Sequence, residues 1–398
     1  MRLSAAIGRI QPSATLAIMA RAAELRAGGR DIISLSVGEP DFPPPPSACT
    51  AAIAAIERGE HAYTAVEGTR ALREAVQAKF ARENGLQYGL DELIVTTGGK
   101  QAIWNAFQAT LDDGDEVLIP TPYWVSYPDM ALLAGGTPVF VQTTEAAGYR
   151  LDPHALAGAI GPRTRWFVLN SPSNPTGITY SAAELRAFAD VLLEHPDLQI
   201  LSDDMYEHIR YGDDAFATIA AVEPRLKGRT LTLNGASKAF SMTGWRIGYA
   251  GGPRDLIRAM AKAQSQTTAN PSVIAQEAAV GALTGDLGFL EERRADYQRR
   301  RDLVHARITA IPGLSAPLPE GAFYLYVGCT GLIGRTTPAG AQLTTDEDVA
   351  AWLLENGVAV VHGAAFGASP AFRISYAVAP AQLAEACRRI EAAVASLA

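Results

Sequence analysis

Residues 234–248 read Asn-Gly-Ala-Ser-Lys-Ala-Phe-Ser-Met-Thr-Gly-Trp-Arg-Ile-Gly, and they hold the most chemically suggestive pair in the chain. Lys238 lies among small residues, and Arg246 follows directly after a Gly-Trp step. A lysine that condenses with a carbonyl needs a tight turn around it and room for a flat ring. It also needs a fixed cation nearby if the carbonyl compound carries a phosphate. Lys238 can supply the imine nitrogen and Arg246 the phosphate contact. An isolated Ser-Lys pair would mean no more than a surface lysine beside a strand.

Other residues extend this chemistry. Thr96-Thr97-Gly98-Gly99-Lys100-Gln101 follows an apolar run and opens a helical pattern. Glycines there let backbone N–H groups approach a phosphate, whose charge the helix dipole favours. The segment lacks the glycine spacing and the Ser/Thr of a P-loop, so an ordinary strand-to-helix turn stays open as a reading. Asp203 ends a second apolar run, in Leu201-Ser202-Asp203-Asp204-Met205-Tyr206. A carboxylate at a buried strand end is costly unless it meets a cation or hydrogen bonds. Arg373 interrupts the apolar run Phe372–Ala377. Its guanidinium either reaches solvent or grips a carboxylate with two parallel bonds. Asn170–Gly177 contains Asn-Pro and Thr-Gly, the makings of a turn. Trp124 is either a core residue or a stacking surface.

The elements that must position these residues follow from periodicity. Strands are predicted at Glu92–Thr97, Glu116–Pro120, Thr137–Val141, Arg165–Asn170, Leu198–Asp203, Thr230–Leu233 and Arg246–Gly251. Helices are predicted between them, among them Leu72–Asn84, Gln101–Leu111, Ala182–Glu194 and Ser272–Leu283. This alternation makes the fold α/β, with a mainly parallel sheet covered on both faces. Ligands bind such sheets beyond the carboxyl ends of the strands, where these candidates fall. The last third changes character. A charged helix over Phe289–Ile311 leads to strands at Ala322–Val327, Val358–Val361 and Phe372–Ala377, and a helix over Pro380–Leu397 follows. This reads as a smaller α+β domain. The glycine-rich stretch Gly328–Leu343 reads as a surface insertion or mobile flap, and Pro43–Pro46 as an extended polyproline crossing.

A chain of 398 residues implies about two or three domains. Its 48% hydrophobic and 19% charged residues are those of a soluble globular protein. A net charge of −8 argues against a nucleic-acid binder. Cys49, Cys329 and Cys387 lack metal-ligand spacing and read as reduced thiols, so no metal is expected. No apolar run approaches the ~18–20 residues of a membrane span. Arg9 breaks any signal-like stretch, so the cytoplasm is the expected location.

Together the strings Asn170–Gly177, Leu201–His208 and Asn234–Gly248 resemble the signatures of the class I/II aminotransferases, which use pyridoxal 5′-phosphate. The resemblance spans nearly the whole chain. It is nearest to the bacterial and plant subgroup of aspartate aminotransferases that includes prephenate aminotransferases. It implies a fold-type I enzyme with an N-terminal segment (1–46) packing with the small domain, a large cofactor-binding domain (47–290) and a small domain (291–398).

The resemblance also implies roles. Lys238 would hold the cofactor as an internal imine and act as general base in ping-pong transamination. Asp203 would pair with the pyridine nitrogen, Asn174 and Tyr206 with the ring oxygen, and Trp124 with the ring face. Gly99, Lys100 and Arg246 would border the cofactor, with Tyr63 reaching the phosphate of a neighbouring subunit in a homodimer. Arg373 would clamp the substrate's α-carboxylate beside Gly38, near Asn174 and Trp124. Thr15 and Lys100 would select a distal carboxylate, favouring aspartate and glutamate, although Lys100 also reads as a solvated helix-start lysine. Asn270 and Ser272 are further candidates to reach the other subunit.

Gly235 stands where many relatives place a phosphate-binding serine, and Ser237 is expected on a different side of the turn. Asp204 replaces a usual glutamate and is expected at a helix cap or the surface. Prephenate, aromatic or neutral substrates are the alternatives within the class, and a lyase on the same cofactor lies outside it. A non-enzymatic sensor would want a fused basic DNA-binding domain, for which no room is expected. A nicotinamide enzyme would want G-x-G-x-x-G after its first strand, which is missing.

Overall fold

The computed structural model describes residues 1–398. At its centre are seven strands: β2 (Leu93–Thr97), β3 (Glu116–Pro120), β4 (Thr137–Val141), β5 (Thr164–Asn170), β6 (Gln199–Asp203), β7 (Thr230–Gly235) and β8 (Ile247–Gly251). They lie in the order β2-β8-β7-β6-β5-β3-β4. All neighbours are parallel except β8, which runs against both β2 and β7. Along each strand successive side chains feed opposite faces. In β5, Trp166 and Val168 join the cluster around Ile103, Phe107 and Met260. Phe167 and Leu169 join the opposite cluster, around Phe188 and Leu192. Each such burial stabilises by roughly 1.5–3 kcal/mol per side chain.

Register brings the candidate residues to one edge. Asn170 lies opposite Asp203, and Asp203 opposite Leu233. Because β8 reverses direction, Ile247 at its start pairs with Thr97 at the end of β2. The loop between β7 and β8, which carries Lys238, therefore emerges beside the Gly98–Gly99 turn.

The last third builds a second core, which Leu35 of the N-terminal segment and Tyr206, Ile209 and Tyr211 of the large unit join. Strands β9 (Tyr324–Gly328), β11 (Val361–His362) and β12 (Ala371–Ser375) form an antiparallel sheet in the order β11-β12-β9. The helices Phe289–Thr309 and Pro380–Ala395 cover it through Tyr297, Val304, Ile308 and Ile390. A short parallel pair, β1 (Ile33–Ser34) with β10 (Val358–Ala359), ties the N-terminal segment to this unit. No single helix is long and apolar enough to cross a membrane.

The seven central strands lie within two residues of their predicted bounds, and three expectations need correction. The strand predicted at Val358–Val361 is two short strands in different sheets. Pro46 is the first residue of the helix Pro46–Glu57, where its missing N–H costs nothing, so the extended crossing stops at Pro45. Gly328–Leu343 is pinned rather than free. Leu332, Thr337 and Leu343 are buried, and Thr336 exchanges both backbone hydrogen bonds with Ala398.

Candidate active site

A cavity of about 380 Å³ opens at the edge where β2, β5, β6 and β7 end. Gly99, Lys100, Trp124, Asn174, Asp203 and Tyr206 line it from the large sheet's loops. Lys238, Arg246 and Arg373 complete it, and Thr15 and Gly38 border it from the N-terminal segment. Of the principal candidates only Tyr63 stands apart: it is 92% exposed and does not line the cavity. Ser272 lies with Arg246 and Thr97 along an adjoining open groove, while Asn270 turns its amide to the Pro271 carbonyl.

Asp203 is buried at the end of β6. Its carboxylate accepts from the Tyr127 hydroxyl at 2.6 Å and from the Met205 N–H at 3.3 Å. Burial outweighs these donors and pushes the carboxyl up to about 6. Such a group is completed by a cation entering the cavity. Lys238 donates from Nζ to the Gly38 carbonyl at 2.6 Å. Burial, then the charge of Arg373, brings its amine down to about 8, with Arg246 adding to the effect and Glu39 and Asp203 opposing it. Its free-base form is accordingly within reach near neutral pH.

Arg373 is buried, which removes the solvent-exposed alternative. Its guanidinium lies 4.4 Å from the Tyr324 ring centre and 4.9 Å from that of Phe366. Nη1 donates to Asn174 Oδ1 at 2.9 Å and Nη2 to the Ser36 carbonyl at 2.7 Å. Nε is buried without a partner, so the arginine keeps an unmet donor for an incoming anion. Lys100 is exposed at the mouth, its ammonium 5.1 Å from the centre of the Trp124 ring. The cover it has, followed by the charge of Arg246, holds it below the ordinary lysine value.

The helix Gly99–Thr110 starts without a side-chain cap. Gly98 precedes it with φ +79°, and a Cβ there would fall 2.2 Å from Arg246 Nη2. The turn therefore exists only with glycine, and it sets uncapped backbone N–H groups beside a guanidinium.

Ser237 lines the same cavity as Lys238, whereas Gly235, at the end of β7, does not. One site expectation is overturned. Asp204 is neither cap nor surface: it is buried, accepts from Ser202 Oγ at 2.7 Å, and burial holds its carboxyl well above the usual range. Sequence reasoning also missed Tyr127, Tyr324, and the contact of Thr243 with Glu39 across the mouth. Tyr127 had a signal, three residues past Trp124 where a helix begins. Tyr324 had none beyond being an aromatic residue in a strand.

An amine of lowered basicity, a buried carboxylate wanting a cation and a glycine–arginine anion cradle share one cavity. That combination fits pyridoxal 5′-phosphate, an aldehyde with a basic ring nitrogen and a phosphate, and with the fold it defines a fold-type I enzyme of that cofactor. The model of the family "Aminotransferase class I and II" matches residues 30–390. An aspartate/prephenate aminotransferase of Cereibacter sphaeroides is 55% identical over 396 residues, covering 99% of each chain. The crystal structure of the aspartate aminotransferase from Rhizobium meliloti superposes with a TM-score of 0.97 at 54% identity, covering 100% of each chain. That of Thermus thermophilus with maleate gives 0.92 at 44% identity, covering 99% of this chain and all of the other. The chain belongs to the class I and II aminotransferases, and its cofactor is pyridoxal 5′-phosphate.

One consequence is testable on the cofactor-free chain. Only the unprotonated amine attacks an aldehyde, so the rate of capture should rise with pH and level off above about 8. Stopped-flow absorbance after mixing with the cofactor reads this directly. A rate flat from about pH 6 to 9 would contradict the environment assigned to Lys238.

Proposed function

We propose that this aminotransferase moves the amino group of aspartate or glutamate to a 2-oxo acid, running both half-reactions in turn on the cavity around Lys238. The observation that carries the reading is the Lys238 amine, bonded to the Gly38 carbonyl and lining one cavity with Asp203, Arg246 and Arg373. The bound cofactor supplies an electron sink that acidifies the substrate's α-carbon. Lys238 would carry the proton from that carbon to the cofactor's amine-bearing carbon, and in the second half would carry one in the opposite direction. Asp203 keeps the ring nitrogen protonated, Tyr206 and Asn174 serve its oxygen, and Trp124 covers its face. Gly99, Ser237 and Arg246 hold the phosphate. Arg373 takes the α-carboxylate with its unmet Nε, beside Gly38.

Thr15 and Lys100 meet the distal carboxylate, and the names of the Rhizobium meliloti and Thermus thermophilus relatives support that preference. Lys100→Met should lower kcat/KM for aspartate and glutamate about ten-fold, as befits an exposed cation. Alanine and phenylalanine should be little affected, and an equal loss for all four would remove Lys100 from the selective pocket. Relatives named for prephenate as well as aspartate favour a second acceptor, which amination of prephenate by aspartate would reveal.

The exposed Ile53, Ile56 and Tyr63 support a homodimer in which Tyr63 completes the neighbour's phosphate site. The second core, built mostly from the last third, supports a division into units 47–290 and 291–398, with segment 1–46 tied to the latter. We place the enzyme in the cytoplasm. A single-turnover experiment tests the reaction class. Holoenzyme with aspartate and no acceptor should release one equivalent of oxaloacetate per site and stop. Continuous release of pyruvate and ammonia from serine or cysteine, which carry a leaving group on the β-carbon, would instead make it a lyase.

A further inference from the structure

We propose that Tyr324 is a positioning residue that sets the hydrogen-bonding direction of Tyr206 while carrying the guanidinium of Arg373. It thereby joins the proton chemistry of the ring end of the site to its carboxylate end. The inference rests on the reading of Lys238 and Tyr206 given above and extends it to a residue with no role there.

The placement follows from the small sheet. Tyr324 begins β9 and pairs with Ser375 of β12, so Arg373, two residues away on the same face, is its diagonal neighbour. The ring centre lies 4.4 Å from the guanidinium carbon of Arg373. The hydroxyl crosses to the large unit and meets the Tyr206 hydroxyl at 2.8 Å, with both groups buried. The N-terminal segment closes over the same atom: a Cβ on Gly38 would fall 2.1 Å from the Tyr324 oxygen. Any larger residue at 38 would displace the hydroxyl, and the Gly38 carbonyl is the acceptor for Lys238. Three segments remote in sequence therefore converge on one phenol.

A phenol has one proton to give. If Tyr206 spends its proton on the ring oxygen of the bound cofactor, it must accept from Tyr324. Tyr324 then donates to Tyr206, and a donor that is itself hydrogen-bonded becomes the stronger donor. A stronger bond to the ring oxygen stabilises its anionic form and loosens the proton shared with the Lys238 linkage. The charged groups facing the pair are Arg373 and Lys238 as cations and Asp203 as an anion. All three remain when only the Tyr324 oxygen is removed.

The test is a pH titration of the visible band of the holoenzyme, with Tyr324→Phe, Tyr206→Phe and the double variant. The midpoint should rise by roughly half a unit in Y324F, and further in Y206F. In the Y206F background, adding Y324F should change nothing. Maleate, a non-reacting dicarboxylate, should bind Y324F within about twofold of wild type, because the ring under Arg373 is kept. Tyr324→Leu should weaken maleate as well. An unchanged midpoint in Y324F overturns the proposal, as does the same shift persisting in the Y206F background. Absence of any visible band in the wild-type holoenzyme would instead remove the parent assignment of Lys238, and the two failures are distinct.

Discussion

Replacing Lys238 with alanine should lower transamination by at least ~10⁴-fold while leaving the fold intact. No other side chain in the cavity combines a primary amine with reach to both a carbonyl carbon and a substrate proton. Asp203 is committed to Tyr127 and Met205, and Lys100 sits at the mouth against Trp124. Within the chain the Lys238 amine makes one hydrogen bond, to Gly38, and no ion pair. Its folded-state basicity is depressed, so at neutral pH the protonated amine is disfavoured by folding rather than stabilised. Truncation should therefore leave the thermal midpoint of the cofactor-free protein unchanged or higher. Steady-state rates with aspartate and 2-oxoglutarate, read beside a melting curve, check both halves. Residual activity above a thousandth of wild type would assign the proton transfer elsewhere.

The second large effect belongs to Arg373. Arg373→Leu should cost about 2–5 kcal/mol in kcat/KM, or roughly 30- to 5,000-fold, because it removes a desolvated cation from a buried carboxylate site. Its ring neighbours Tyr324 and Phe366 and its acceptors Asn174 and Ser36 already fix the guanidinium plane. The loss should be uniform across aspartate, glutamate and alanine, since all present the same α-carboxylate. Lysine at this position should not rescue, lacking the planar fork. A loss confined to the dicarboxylates would assign Arg373 to the distal carboxylate and reverse its role with Lys100.

Much of this was legible because the central strands carry strong local signals. Short β-prone runs ending in asparagine (β5), aspartate (β6) and Asn-Gly (β7) mark these strands. The rule that ligands gather at such ends then grouped Asn174, Asp203 and Lys238 before any contact was known. The burial of Arg373 needed the structure, since one arginine in a strand reads equally as solvent-facing. Tyr324 was illegible for a different reason. Its role depends on the approach of the small sheet to Tyr206 and of Gly38 to both, and no local spacing encodes that. The buried Lys79, bonded to Glu207 and to Asn84 Oδ1, shows the same limit. Its partner lies in a distant segment, the turn that also presents Tyr206, and helical periodicity is silent about such pairs.

The most direct test of the central claim is the absorption spectrum of the holoenzyme during titration with amino and 2-oxo acids. The account predicts a visible band that requires Lys238, collapses on adding aspartate or glutamate, and returns with oxaloacetate or 2-oxoglutarate. A band that ignores both dicarboxylates and answers only to neutral or aromatic amino acids would contradict the assignment of Thr15 and Lys100. No band at all in protein saturated with pyridoxal 5′-phosphate would contradict the assignment of Lys238 and the mechanism built on it.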